Sequence, residues 1–165
     1  MMFAGHPSGL TDIDAMRVHL RTDRTVAASA ERTFEVLATG EGQREWAQGY
    51  RATTWHSPPP FGPGAIRDIH LRWITVRERF LAWEPGRRFA FSSDAMSIGL
   101  AHRMIEDIAF EPLDAGHCAL TWQVHLDPVP ALRPIERLFT DRVLAPMFDS
   151  FAAGLAAYAT AHPHR

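Results

Sequence analysis

SPPPFGPGAIRDIHLRWITVRERFLAWEPG, Ser57 to Gly86, decides how the rest of the chain is read. Three consecutive prolines fix the backbone of the opening segment, and the FGPG that follows completes a stiff loop. Beyond it, Ala65–Leu71 and Thr75–Trp83 alternate apolar and polar side chains, the pattern of strands covered on one face. Glu84-Pro85-Gly86 then closes a turn into a further strand.

Working outward, the same alternation marks Arg17–Ala28 and Arg51–His56 before the loop, and Arg87–Ser93, His102–Phe110 and Cys118–Leu126 after it, with a turn at Asp114-Ala115-Gly116. Ser29 is placed to cap a helix whose apolar face is Phe34, Val36 and Leu37, with Glu31 at the positive end of its dipole. Gly40 and Gly42 end that helix and start a shorter one holding Trp46. From Pro134 to about His162 the apolar residues Ile135, Leu138, Phe139, Val143, Met147, Phe151, Leu155 and Tyr158 form one stripe of a long helix. Pro146 removes an amide donor inside it, so a kink or break is expected near Arg142 to Pro146.

Composition narrows the function. The 165 residues suit one domain, which at this size buries roughly 70% of the surface of its unfolded chain. Hydrophobic residues at 46% and charged residues at 22% are ordinary for a globular protein. A net charge of -2 offers no field for nucleic acid. All 17 basic residues are arginine, and the absence of both Lys and Asn is read as GC-rich codon usage. Cys118 stands alone, so no intrachain disulfide is possible and a reducing cytoplasm is expected. Residues 1–16 show neither a basic start nor a long apolar run, and are read as a flexible extension to a single domain over 17–165. No run of about 18 apolar residues occurs, so no membrane insertion is expected.

The pieces VAASAERTFEVLA, Glu45-Trp46, GPGAIRDI, ERFLAWEPGRRFAF, FEPLDAGHCALTW and the final helix, in this order, resemble the SRPBCC superfamily, which includes START-related lipid-transfer domains, polyketide cyclases and birch-pollen-type allergens. The resemblance implies an α+β helix-grip fold. A curved antiparallel sheet of about seven strands would wrap a long C-terminal helix, with two short helices after the first strand and a ligand cavity between sheet and helix. It also implies an apolar small-molecule partner such as a polyketide, lipid, quinone or aromatic. Cyclase or dehydratase chemistry, a non-catalytic carrier or sensor, and a co-chaperone-like interaction module all remain open, as does the oligomeric state.

Strand alternation names the side chains that face such a cavity. The inward sets are Arg67, Ile69, Leu71; Val76, Glu78, Phe80; Phe89, Phe91, Ser93; His102, Met104, Glu106, Ile108, Phe110; and Leu120, Trp122, Val124, Leu126. Four of these, Arg67, Glu78, His102 and Glu106, are ionisable, and burying such a group without a partner costs several kcal/mol. They therefore pair with one another, turn outward at strand bulges, or meet polar ligand groups. On the last reading His102, Glu106 and Glu78 are the candidate acid–base residues. Arg67, Ile69, Leu71, Phe80, Phe89, Phe91, Met104, Ile108 and Trp122, with Met147 and Phe151 from the helix, are the candidate ligand contacts. The nine histidines lack a metal-binding spacing, His19, His56, His70 and His125 are read as surface residues, and neither a metal nor a cofactor is expected.

Overall fold

The computed structural model describes residues 1–164. Strands β2 (Val18–Val26), β3 (Tyr50–Trp55), β4 (Ile66–Leu71), β5 (Thr75–Glu84), β6 (Arg88–Met96), β7 (Ala101–Asp114) and β8 (His117–Pro128) form one antiparallel sheet in the order β2-β8-β7-β6-β5-β4-β3. Helices α1 (Ala30–Thr39) and α2 (Gln43–Trp46) follow β2, and α4 (Ala145–Ala161) ends the fold. This is the helix-grip α+β architecture. Ser29 caps α1 by accepting from the Arg32 amide at 3.1 Å, and Gly40 ends it in the left-handed region, as the sequence signals require.

The ladder between β6 and β7 stops at Ser92 and Ile105, although β6 continues to Met96. A short strand β1 (Phe3–Ala4) pairs with the freed Ala95 and Met96. The N-terminal segment then crosses the outer face of the sheet. Gly5 donates to the Asp94 carbonyl, Ser8 donates to Ser92 Oγ, and Arg79 donates to the Ser8 carbonyl. Residues expected to be a flexible extension thus have a packed place, and their cover explains why the outward ladder partners Ser92, Ile105 and His125 are 0%, 0% and 5% exposed. His125, expected at the surface, is instead buried with its Nδ1 2.7 Å from that of His19.

Elsewhere the outer face is crossed by bidentate arginine–aspartate pairs, Arg77 with Asp68 and Arg88 with Asp107, with Arg79–Asp94 and Arg103–Asp127 beside them. The roof reaches α4 through a 3-10 turn (Pro130–Ile135), a single turn α3 (Glu136–Phe139) and a π turn (Thr140–Leu144). The π turn lies immediately before Pro146, where the missing amide was expected to break the helix. Pro130–Ala161 is long and apolar enough by composition to cross a membrane, but α4 spends that apolarity on the sheet, burying Phe148, Phe151, Ala152, Leu155, Ala156 and Ala159.

Candidate functional site

Between sheet and roof lies a cavity of about 290 Å3. Ile69, Leu71, Val76, Phe91, Met96, Met104, Trp122 and Leu126 make its floor, and Phe139, Val143, Leu144, Met147, Phe148 and Phe151 its roof. Leu37, Gln43, Trp46 and Ala47 close one wall. Trp73, Ile98 and Val143 line the same cavity yet are 46%, 45% and 48% exposed, which places its mouth at the β4–β5 turn, the β6–β7 connection and the π turn. Trp73 lies over Gly49, whose φ of 81° and lack of a side chain leave room for the indole.

The sheet stays closed on one side of this hollow because aromatic rings fill it there. Phe80, Trp83 and Phe89 meet one another, and Trp83 and Phe89 meet Phe34 of α1, in edge and tilted contacts with ring centroids 4.8 to 6.2 Å apart. Phe80 and Phe89, expected as ligand contacts, therefore belong to solid core and do not line the cavity, and neither does the fully buried Ile108. Alternation assigned their face correctly but says nothing about position along the strand.

Arg67 marks the boundary between the two halves. Its guanidinium carbon lies 4.9 Å from the Phe80 ring centre and 5.5 Å from that of Trp55, and its Nε donates to Glu78 Oε2 at 2.7 Å. Arg67, Glu78 and Glu106, all buried, are the ionisable side chains of the cavity lining. Burial pushes the Glu78 carboxyl up, against the pull of the Arg67 charge. Glu106 is pushed up to about 8, chiefly by burial and then by the neighbouring Glu78 charge, while the Trp122 hydrogen bond and Arg67 act the other way. At neutral pH the cavity thus presents the hydrogen-bonded Arg67–Glu78 pair, a neutral carboxylic acid at Glu106 and the Gln43 amide on an otherwise apolar wall.

His102 is not among these groups. The register of β7 against β8 shifts between Ala101 and Arg103, and this bulge turns His102 outward, where it is exposed with its ring 6.0 Å from that of His6. Its expected inward placement is corrected accordingly. Of the other expected contacts, Arg67, Ile69, Leu71, Phe91, Met104, Trp122, Met147 and Phe151 do line the cavity. The wall from α1 and α2 and the rim residues Trp73 and Ile98 were not singled out, because each stands in a turn or short helix where alternation carries no signal. The described residues contain no cluster suited to a metal ion.

Comparison with known proteins places these features in a wider set. The profile of the family described as polyketide cyclase / dehydrase and lipid transport matches residues 17–160. The uncharacterized protein Rv2574 of Mycobacterium tuberculosis is 34% identical over 115 residues, 69% of this chain and 68% of that protein. An aromatase/cyclase, ZhuI from Streptomyces sp. R1128, superposes with a TM-score of 0.64 at 17% identity, covering 90% of this chain and 99% of that one. A START superfamily protein from Mycobacterium smegmatis gives 0.68 at 12% identity, over 85% and 95%. At these identities the solved structures speak for the fold.

Proposed function

This chain belongs to the polyketide cyclase / dehydrase and lipid transport family, within the START/SRPBCC superfamily, and on that premise we propose that its cavity binds an apolar small molecule of the polyketide, lipid, quinone or aromatic type. The observation that carries this reading is the composition of the hollow: apolar floor and roof, an open apolar mouth, and one polar row made by Arg67, Glu78 and Glu106, with Gln43 as the further polar side chain of the lining. An apolar body gains by leaving water for such a wall, and a few convergent polar groups set its orientation.

Glu106 favours a catalytic version of this function. A carboxylic acid held neutral near pH 7 is suited to protonating an oxygen during cyclisation or dehydration, with the Arg67–Glu78 pair stabilising charge beside it. A carrier or sensor needs the cavity alone. An interaction module needs little internal volume, and the hollow weighs against it. The free, buried Cys118 suits a reducing cytoplasm.

Native mass spectrometry of freshly purified protein tests the binding reading: a co-purified apolar molecule, lost from a Met104→Trp variant that fills the hollow, is expected. Cyclisation or dehydration of that molecule, abolished in Glu106→Gln, would separate an enzyme from a carrier.

A further inference from the structure

Trp122 donates its indole Nε1–H to Glu106 Oε2 at 2.9 Å, with both residues more than nine-tenths buried. A neutral carboxylic acid carries its proton on one oxygen, and its carbonyl oxygen is the stronger acceptor for an N–H donor. The oxygen held by Trp122 is therefore favoured as the carbonyl oxygen, which leaves the acid proton on Oε1. That oxygen has no hydrogen-bond partner among the described residues, and Glu106 lines the cavity. The indole is held in turn by Phe151 of α4, whose ring centre lies 6.4 Å away.

From this geometry we propose that Trp122 is a positioning residue that makes Glu106 a fixed O–H donor in the cavity wall, and that the ligand's buried end is a carbonyl-type oxygen: a ketone, quinone or conjugated enone. This rests on the reading that the cavity takes an apolar molecule, and adds which polar end enters it. A hydrocarbon end would leave the Glu106 hydroxyl and the remaining Arg67 donors without partners, and an ammonium end would meet the Arg67 cation. The groups facing Glu106 are Arg67 from β4, Glu78 from β5 and Trp122 from β8, whereas α1, α2 and the roof contribute no ionisable side chain to the lining. Burial and the Glu78 charge keep the acid protonated at neutral pH.

The test compares 2-acetylnaphthalene with 2-ethylnaphthalene, which share a shape and differ in the carbonyl oxygen, by titration of the full chain at pH 6.5 and pH 9.5. The wild-type protein binds the ketone about tenfold more tightly at pH 6.5 and loses that preference at pH 9.5. Glu106→Gln offers its amide oxygen to the indole and its amide N–H to the ligand, so it keeps the preference at both pH values. Glu106→Leu abolishes the preference while still binding the hydrocarbon. Trp122→Phe weakens the preference at pH 6.5 and moves its loss to higher pH, since the indole stabilises the carboxylate. Equal binding of both probes by the wild-type protein, or a ketone preference that survives Glu106→Leu, would overturn the proposal and leave the cavity reading standing. Binding of neither probe would overturn both.

Discussion

Arg67 and Glu78 stand opposite each other in the β4–β5 ladder, joined by a 2.7 Å hydrogen bond at 4% and 6% exposure. Removing one partner of a buried pair leaves an uncompensated charge, at a cost of about 3–5 kcal/mol, whereas replacing both with apolar groups is often neutral. Arg67→Met is therefore expected to lower the free energy of unfolding by that amount in urea, and Arg67→Met with Glu78→Leu to recover most of it. A double variant as unstable as the single one would mean that the loss comes from the aromatic packing of Arg67 rather than from its charge.

Glu106 makes stability depend on pH. Its carboxyl lies at about 8 in the folded protein against an ordinary 4.5, so between these values the native state holds a proton that the unfolded chain has released. Stability is fully present below pH 4.5 and falls as pH rises toward 8, by about 5 kcal/mol in total. Glu106→Gln removes this contribution. The difference in unfolding free energy between variant and wild type should grow in favour of the variant from pH 5 to pH 9, and a constant difference would contradict the burial of this acid.

His125 works in the opposite direction. Burial and then the nearby His19 lower its pKa from 6.5, with Asp107 and Asp14 opposing them, so on acidification the unfolded chain takes up its proton first. Stability is lost as pH falls below about 6.5. His125→Gln should lie below the wild-type melting temperature at pH 7.5 and draw level with it toward pH 5. Parallel melting curves at both pH values would show that the His19–His125 contact is not proton-linked.

Gly154 of α4 lies so close to α2 that an added Cβ would sit 2.1 Å from the Trp46 carbonyl oxygen. Alanine is worth up to about 1 kcal/mol over glycine in a helix, but a backbone overlap of this kind costs more, typically 1–3 kcal/mol. Gly154→Ala is thus expected to destabilise the protein and to weaken ligand binding by shifting Trp46 in the cavity wall. Unchanged thermal denaturation would mean that α4 does not press on α2 as described.

The fold was legible because its signals are local and agree: alternating strands, the Ser29 cap and the Gly40 stop each correspond to an observed feature, and the kink or break expected near Arg142 to Pro146 takes the form of a π turn in a continuous helical run. The polar row was legible because Arg67, Glu78 and Glu106 keep the parity of the apolar residues on their own strands, the shift beside Glu78 adding its extra residue to β6. It misplaced His102 because a bulge adds one residue ahead of Met104, and no residue of that segment announces it. The helix stripe drifted for a related reason. The π turn rotates the phase, so Ile135 and Leu138 are 50% and 60% exposed while Phe148 replaces them inside. That the N-terminal segment covers the sheet depends on contacts with β6 and Arg79, far away in sequence, which periodicity does not report.

The central claim is that the hollow under the roof is a ligand site, and it is tested most directly by titrating 2-ethylnaphthalene into the wild-type protein and into Met104→Trp, whose indole occupies the floor. Saturable one-to-one binding is expected of the first and none of the second, with both proteins folded by circular dichroism. Binding that is equal in the two, or absent from a folded wild-type protein, would contradict it.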